Sequence, residues 1–277
     1  MEDLILAIDQ GTSSTKALLM NVRGEVVAEG LADLETTYFP NGHVEQDPLA
    51  LMQSVESAVK ACLSGIDPKN IKGIGISNQR ETFVLWDAEG KPLSPAVVWA
   101  CKRSTAICEK LQDQNDWIKS RTGLLIDPYF SGTKVLWLLE NDPSLHESLE
   151  AGELYFGTVD TWILFQLTQG RSYACDLTNA SRTLFFNLES LTWDTEILAN
   201  WGLSSLHLPA LKRSSDDFGQ TDLFGLAPDG IPVVAMIGAT TIATIPAMAR
   251  EMTTIAMILG MLPSAMGNGE GSDFRQS

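Results

Sequence analysis

Several hydroxyl side chains follow the first apolar segment of the chain, close to one carboxylate and one lysine. The run reads Asp9-Gln-Gly-Thr-Ser-Ser-Thr-Lys16. Gly11 permits a tight turn whose backbone N–H groups and hydroxyls can surround a phosphate, and Lys16 adds a positive charge. Asp9, at a strand end, can hold Mg²⁺ through water. The hydroxyl-bearing candidates for phosphate contact are Thr12, Ser13 and Ser14. The run predicts a hairpin that binds nucleotide phosphates, although a polar β-turn without a ligand explains the same residues.

A second polar segment, residues 78–82, follows a strand of almost purely apolar residues. Its side chains should emerge at a strand end, which is where α/β sheets bind ligands. Arg80 can donate hydrogen bonds to one or two hydroxyls and Glu81 can accept hydrogen bonds from them. This pairing suits a small uncharged polyol better than an anion. A salt bridge on the surface explains the same two residues without a ligand.

Two aromatic residues, Trp99 and Tyr129, lie at predicted strand or loop ends. An aromatic plane beside a carbon chain, with polar groups at its edge, distinguishes a polyol from water. Both residues could equally belong to the hydrophobic core. They are therefore candidate polyol contacts, not assigned ones.

The apolar patterning that must position these residues predicts alternating strands and helices, typical of an α/β fold. Residues 4–8, 16–20 and 26–29 are predicted to form three strands in a meander. Asp47-Pro48 is typical of a helix start, with Asp47 as N-cap and Pro48 at the first helical position. Residues 71–77 form a predicted buried strand, and we expect residues 82–86 to pair beside it. Later elements are predicted as strands at 96–99, 154–158 and 231–237 and as helices from near Ser104, at 134–140 and at 161–167.

The composition is acidic, with 19 Lys and Arg residues against 35 Asp and Glu residues and a formal net charge of −16. Such a charge repels a phosphate backbone, which excludes nucleic acid as an expected partner. The four cysteines include no CxxC pair, so a structural zinc site is not expected. The N-terminus has neither the basic region nor the apolar length of a secretory signal, so we expect a cytoplasmic protein.

Residues 231–249 are uncharged, a length close to that of a membrane span. The same pattern is explained by a buried strand through Ile237, a turn at Gly238 and a mostly buried helix. We therefore expect no contact with a membrane.

Together these segments resemble the FGGY family of carbohydrate kinases, and the first domain of its glycerol kinases in particular. The resemblance runs in unbroken order over residues 4–238, and residues 129–141 also satisfy the family signature. The matching segments are residues 7–16, 42–48, 75–82, 98–99, 126–134, 157–162 and 178–183.

The resemblance implies an actin-like, RNase H-like α/β fold with a mixed sheet flanked by helices, the first of two domains that enclose a cleft. It implies transfer of phosphate from MgATP, the expected cofactors, to a hydroxyl of glycerol or a similar small polyol. Carried over residue by residue, Asp9 would organise Mg²⁺. The implied nucleotide contacts are Thr12, Ser13, Ser14 and Lys16, and the implied glycerol contacts are Arg80, Glu81, Trp99 and Tyr129.

The sequence departs from the family where the catalytic base is expected. In the family, an Asp that accepts the hydroxyl proton directly follows a buried strand and a glycine. Here the glycine is Gly238 and the next residue is Ala239, which cannot accept a proton. We expect an FGGY-type domain over residues 1–250, a divergent tail over 251–277 and no second kinase domain.

Two classes of function follow. In one, the chain is part of an ATP-dependent glycerol kinase that is inactive alone and works with a chain supplying the second domain or as a homo-oligomer. In the other, it is a non-catalytic polyol-binding or regulatory remnant.

Overall fold

Strands and helices alternate along the chain, as the apolar patterning predicts. The computed structural model describes residues 3–227 and 230–239, and the predicted helix after Gly238 and the tail at 251–277 lie outside them. The described strands are β1 (Leu4–Gln10), β2 (Ser14–Asn21), β3 (Val26–Asp33), β4 (Thr37–Tyr38), β5 (Val44–Gln46), β6 (Ile71–Asn78), β7 (Phe83–Trp86), β8 (Ala96–Val97), β9 (Tyr155–Thr158), β10 (Ala174–Asp176), β11 (Phe186–Asn187), β12 (Thr192–Trp193), β13 (Ala210–Lys212), β14 (Gln220–Thr221) and β15 (Ile231–Gly238). The described α-helices are α1 (Pro48–Cys62), α2 (Thr105–Lys110), α3 (Asn115–Thr122), α4 (Ser131–Asn141), α5 (Pro143–Ala151), α6 (Val159–Leu167), α7 (Leu177–Ala180) and α8 (Thr195–Asn200).

A mixed sheet carries the first polar segment. Its strand order over the described residues is β14-β15-β6-β1-β2-β3. The predicted meander is present, since β1 pairs with β2 and β2 with β3 in antiparallel register. Strands β1, β6 and β15 run parallel, with Gln10 and Gly238 both opposite Asn78. The carboxyl ends of these three strands therefore meet at one edge, and so do the residues that follow them.

A second, antiparallel sheet corrects one prediction. Residues 82–86 do not pair beside the 71–77 strand, because β6 already has β1 on one side and β15 on the other. Strand β7 instead pairs with β8 and β9 in a sheet whose order within the described residues is β4-β5-β8-β7-β9. The chain turns between the two sheets at Glu81, which has a positive φ of 62° and lies inside a tight turn closed by the Thr82 N–H and the Arg80 carbonyl at 2.7 Å.

Helix α1 covers one face of the mixed sheet. Its N-cap is Asp47, as predicted, whose carboxylate accepts a hydrogen bond from the Leu49 N–H at 2.8 Å. Its buried residues include Met52, Val55 and Val59 on the predicted apolar face. Helix α6 belongs to the same hydrophobic core, and the helices α2 to α5 and α8 surround a second core against the antiparallel sheet. Within the described ranges, every helix falls short of the length and apolar character that crossing a bilayer requires.

Helix α1 packs so closely on β3 at Gly30 that a larger side chain there should destabilise the fold. A Cβ atom on Gly30 would overlap the carbonyl oxygen of Ala58 and lie 2.6 Å from the backbone nitrogen of Cys62. We expect Gly30→Ala to lower the free energy of unfolding by at least about 2 kcal/mol, because the backbone of α1 must move away from the sheet. Urea denaturation measures this loss. The neighbouring control Glu29→Ala, which removes only a surface ion pair, should change stability by less than about 0.5 kcal/mol, and an equal loss in both variants would contradict this account.

Candidate functional site

Polar side chains meet where β1, β6 and β15 end. The amide of Gln79 donates to the side-chain oxygens of Gln10, at 3.1 Å, and Gln46, at 2.9 Å. The backbone N–H of Ala239 donates to the carbonyl of Asn78 at 2.8 Å. These bonds tie the three strand ends together before any ligand is present.

The predicted polyol contacts line one cavity at this edge. It has a volume of about 340 Å³ and is lined by Gly11, Thr12, Gln79, Arg80, Glu81, Trp99, Tyr129 and Ala239. This volume suits a small-molecule ligand. Two other cavities, of about 380 and 460 Å³, are lined by none of the predicted site residues. The structure thus brings Arg80, Glu81, Trp99 and Tyr129 together, and their part in binding polyol stays a prediction.

Glu81 is fixed by a buried ion pair. Its side chain is 2% exposed, and one carboxylate oxygen accepts a hydrogen bond from Nε of Arg182 at 2.7 Å. Its backbone carbonyl accepts a hydrogen bond from the hydroxyl of Ser131 at 2.8 Å. The carboxylate is therefore held in one orientation at the cavity wall, with lone pairs left to accept bonds from ligand hydroxyls.

Arg80 lines the cavity with a guanidinium group that can bind a ligand. Its stem packs on Gly238, where an added Cβ would lie 2.6 Å from Cγ and 2.7 Å from Cδ of Arg80. Within residues 3–227 and 230–239, no hydrogen bond or ion pair engages its guanidinium. The glycine before Ala239 thus lets the arginine lie along the end of β15. Its donors remain free for a ligand.

The two aromatic rings form the remaining wall. Trp99 and Tyr129 are 5.9 Å apart between ring centroids, in an edge-on arrangement. The indole N–H of Trp99 donates to the hydroxyl of Thr12 at 3.0 Å, which links the polyol side of the cavity to the predicted phosphate hairpin. The guanidinium of Arg182 lies 5.9 Å from the centroid of the Tyr129 ring. Burial, and next the charge of Glu81, raise the pKa of Tyr129, so its hydroxyl stays protonated at neutral pH.

The predicted nucleotide contacts surround a tight turn between β1 and β2. The N–H of Gly11 donates to the carbonyl of Ser14 at 2.9 Å, and Ser13 is exposed. Lys16 forms an ion pair with Glu29 at 3.2 Å. Of the four predicted nucleotide contacts, Thr12 alone lines the cavity, and the other three lie along the turn beside it.

Asp9 is the predicted metal residue. It lies opposite Lys16 on β2 and Ser77 on β6. Burial raises the pKa of its carboxyl, which the neighbouring Ser77 hydroxyl and the charge of Lys16 partly offset. Among the described residues, no cluster of three or more His, Cys, Asp or Glu side chains could hold a metal ion. A single carboxylate nevertheless fits Mg²⁺, which is usually held by one or two carboxylates, several waters and substrate phosphates.

A buried network behind the site was not predicted as such. The side-chain amides of Asn78 and Asn179 donate to each other at 2.9 and 3.0 Å. Asp176 caps α7 and accepts a hydrogen bond from the hydroxyl of Thr178 at 2.9 Å, and that hydroxyl in turn accepts one from the N–H of Gly238 at 2.8 Å. Residues 178–183 carry the family resemblance, which was a signal for this segment but gave no contact for Arg182 or Asn179.

The ion pair of Glu81 leads to a first prediction for the site. Arg182→Met should lower the free energy of unfolding by about 3–5 kcal/mol, because it leaves a buried carboxylate without a partner. Adding Glu81→Gln to this variant should recover about 2 kcal/mol, since the uncompensated charge is then removed. Urea denaturation of both variants measures these changes. The exposed pair of Lys60 and Glu56 is the control, and Lys60→Met should change stability by less than about 0.5 kcal/mol. No recovery in the double variant would contradict the buried-charge account.

Asp160 leads to a second prediction. Its carboxylate accepts hydrogen bonds from the Thr158 hydroxyl at 2.5 Å and the Asp176 N–H at 3.1 Å, and burial and the charge of Asp176 raise its pKa from the ordinary value of 3.8. The folded chain therefore keeps this proton where the unfolded chain has lost it. Stability contributed by Asp160 should fall as the pH rises from 3.8 through the raised value. Asp160→Asn should remove that fall, as measured by urea denaturation from acid to neutral pH.

The opposite behaviour of Asp142 is the control for this measurement. A hydrogen bond from Ser144 lowers the pKa of Asp142, so its contribution to stability is lost as the pH falls. Asp142→Asn should flatten the acid limb of the stability curve and leave the fall toward neutral pH. A wild-type curve that does not differ from that of Asp160→Asn would contradict the assignment.

Comparison with known proteins bears on the family and the fold of this chain. A model of the FGGY family of carbohydrate kinases, N-terminal domain, matches residues 4–245, slightly further than the motifs indicate. The chain is 44% identical over 272 residues to a glycerol kinase of Thermus brockianus, covering 96% of this chain and 52% of that protein. It is 43% identical over 239 residues to a glycerol kinase of Vibrio atlanticus, covering 84% of this chain and 47% of that protein.

Solved structures show the same fold. The structure of Plasmodium falciparum glycerol kinase with ADP superposes with a TM-score of 0.79 at 30% identity, covering 86% of this chain and 48% of that one. A gluconate kinase of Lactobacillus acidophilus has a TM-score of 0.76 at 22% identity, covering 86% and 48% of the two chains. The chain spans about half the length of the curated relatives it matches. The predicted α/β kinase fold is confirmed, and the chain belongs to the FGGY family of carbohydrate kinases.

Proposed function

We propose that the cavity binds glycerol or a polyol of similar size, and that the Gly11 turn supplies part of a site for MgATP. The observation that carries this proposal is the convergence of Arg80, Glu81, Trp99 and Tyr129 on one cavity of about 340 Å³. The Plasmodium relative that supports the fold was solved with ADP, and the curated relatives named above are glycerol kinases. Glycerol, ATP and Mg²⁺ are therefore the ligands we propose to test first.

The side chains offer complementary bonds to a polyol. The guanidinium of Arg80 would donate to hydroxyl oxygens, while Glu81, already oriented by Arg182, would accept from hydroxyl protons. The rings of Trp99 and Tyr129 would pack on the carbon chain. A ligand with adjacent hydroxyls can accept from Arg80 through one hydroxyl and donate to Glu81 through the next, whereas a simple alcohol has one hydroxyl for both and a fully ionised anion has no proton to donate to Glu81.

The phosphate hairpin would lie beside the polyol. The hydroxyl of Thr12 lines the cavity, and Ser13, Ser14 and Lys16 extend from it along the turn. Asp9 would hold Mg²⁺ through water at the end of β1, where the cation would offset negative charge on the phosphates. We propose that Lys16 would have to leave Glu29 to reach a phosphate, since the two form an ion pair in this structure.

Ala239 argues for weak phosphate transfer by this chain. It lines the cavity directly after Gly238, where the family resemblance places an Asp, and its methyl group cannot accept the hydroxyl proton. Glu81 is the carboxylate among the described lining residues, and one of its oxygens is already engaged by Nε of Arg182 at 2.7 Å. Transfer would also need a second wall that excludes water from the cavity. Non-catalytic polyol binding is therefore the second candidate function.

Calorimetric titration with glycerol tests the binding proposal. We expect saturable binding to the wild-type chain and at least about tenfold weaker binding to Arg80→Met, because the free guanidinium supplies the charged donor. The control Arg23→Met removes an exposed arginine that pairs with Glu25 away from the cavity, and should bind glycerol like the wild type. No binding to the wild type, or equal affinity in Arg80→Met, would refute the site.

Restoring the missing carboxylate separates the two candidate functions. With glycerol and MgATP, Ala239→Asp should form glycerol 3-phosphate about 10²–10⁴-fold faster than Ala239→Asn, a variant of similar size without a base. The measurement is the rate of glycerol 3-phosphate formation in each variant, compared with a control that contains no protein. Equal rates in the two variants, both above background, would contradict a missing base, and no product in either would favour the binding function.

A further inference from the structure

A buried lysine bonds to the backbone carbonyls of both aromatic residues of the cavity. Lys134, in the first turn of α4, is 0% exposed. Its ammonium donates to the carbonyl oxygens of Val98 at 3.1 Å, Trp99 at 3.0 Å and Tyr129 at 3.0 Å. An ammonium has three N–H donors, so each one is used by a backbone carbonyl.

The charge of Lys134 is balanced by these carbonyl dipoles and not by an ion pair. No described Asp or Glu lies within ion-pairing distance of its nitrogen. The charged and titratable groups that face it are Glu81 between β6 and β7, Asp127 before α4, and Cys101 and Arg103 after β8. Burial is the largest effect and lowers the pKa of Lys134 to about 8.

The two aromatic residues are otherwise linked to each other by a ring contact. Trp99 follows β8 and Tyr129 precedes α4, and their rings meet in a T-shaped contact with 5.9 Å between centroids. Trp99 is otherwise held by two hydroxyls, that of Thr12 at its indole N–H and that of Thr82 at its backbone N–H. The Lys134 nitrogen bonds the main chains of both at once, and among the residues that the structure describes it is the one atom that does so.

We infer that Lys134 is a positioning residue: its ammonium fixes the separation of Trp99 and Tyr129, and loss of its proton loosens the polyol cavity. A neutral amine has two N–H donors and a lone pair. One of the three carbonyls then loses its donor and faces that lone pair instead. The geometry of the rings should therefore change when Lys134 is deprotonated, and polyol affinity should change with it. The statement about affinity rests on the proposed function, and the statement about the rings does not.

The pH dependence that Lys134 gives to global unfolding has the opposite direction to the expected loosening of the cavity. The pKa of Lys134 is lower in the folded chain than its ordinary value of 10.5, so unfolding takes up a proton between about pH 8 and 10.5. The contribution of Lys134 to the free energy of unfolding therefore rises with pH across that window. If deprotonation of Lys134 loosens the cavity above pH 8, this residue does not at the same time lower the free energy of unfolding.

Fluorine NMR tests the positioning without any ligand. The chain has seven tryptophans, so 5-fluorotryptophan labelling gives several resonances, and the one lost in Trp99→Phe belongs to Trp99. We expect the Trp99 resonance to shift with a midpoint near pH 8 in the wild type and in Cys101→Ala, which removes the thiol facing Lys134. The shift should be absent in Lys134→Met. A resonance that does not move between pH 6.5 and 9.5, or that moves equally in Lys134→Met, would overturn the inference.

Glycerol affinity supplies a second readout. If the protonated form alone binds, the apparent Kd of the wild type should rise about tenfold between pH 7 and pH 9. Lys134→Met should bind weakly at both pH values, while the exposed-lysine control Lys110→Met should behave like the wild type. Loss of glycerol binding by the wild type at every pH would count against the proposed function, and the fluorine titration would still decide the inference. If Lys134→Met does not fold, the wild-type and Cys101→Ala titrations decide it.

Discussion

The ion pair between the buried carboxylate of Glu81 and Arg182 is the interaction on which the geometry of the cavity depends. Glu81 lies where the chain passes from the mixed sheet to the antiparallel sheet, with a backbone conformation that few residues other than glycine adopt readily. Its carboxylate, 2% exposed, requires a charged partner, which Arg182 supplies from 101 residues further along the chain. The guanidinium of Arg182 also lies over the rings of Tyr129 and Phe130. One pair thus orients the acceptor of the site and supports one of its aromatic walls.

The parallel run of β1, β6 and β15 explains why the other site residues meet. The residues that follow each strand lie at the same edge. They are the turn at Gly11 after β1, Arg80 and its neighbours after β6, and Ala239 after β15. Hydrogen bonds among Gln10, Gln46 and Gln79 hold that edge in place. Among the described lining residues the carboxylate is that of Glu81, and Ala239 has a methyl group where the family resemblance places an Asp.

Local signals in the sequence predicted elements well where capping and periodicity agree. Asp47-Pro48 correctly predicted the start of α1, and the same pattern at Asp142-Pro143 begins α5, which was not predicted although its signal is as clear. The strand at 82–86 was assigned to the wrong sheet, because periodicity gives no information on the backbone turn at Glu81 or on which strands already flank β6. The four polyol candidates were chosen correctly as neighbours in space, since strand ends of an α/β sheet converge.

Contacts between residues far apart in the sequence could not be predicted in this way. Asn78 and Asn179 are 101 residues apart, as are Glu81 and Arg182. Lys134 was placed in a helix, but its complete burial contradicts the expectation for a lysine, and the three carbonyls that make burial possible come from two other segments. Such contacts depend on the tertiary arrangement and not on local pattern.

The most direct test of the account is a crystal structure of the chain soaked with a small polyol. With threitol, a four-carbon homologue of glycerol that is not a cryoprotectant, we expect electron density in the cavity, against the wall formed by Trp99 and Tyr129. Its adjacent hydroxyls should lie within hydrogen-bonding distance of the Arg80 guanidinium and the Glu81 carboxylate. Density elsewhere on the surface, or an empty cavity at saturating threitol, would contradict the claim that this cleft is a polyol site.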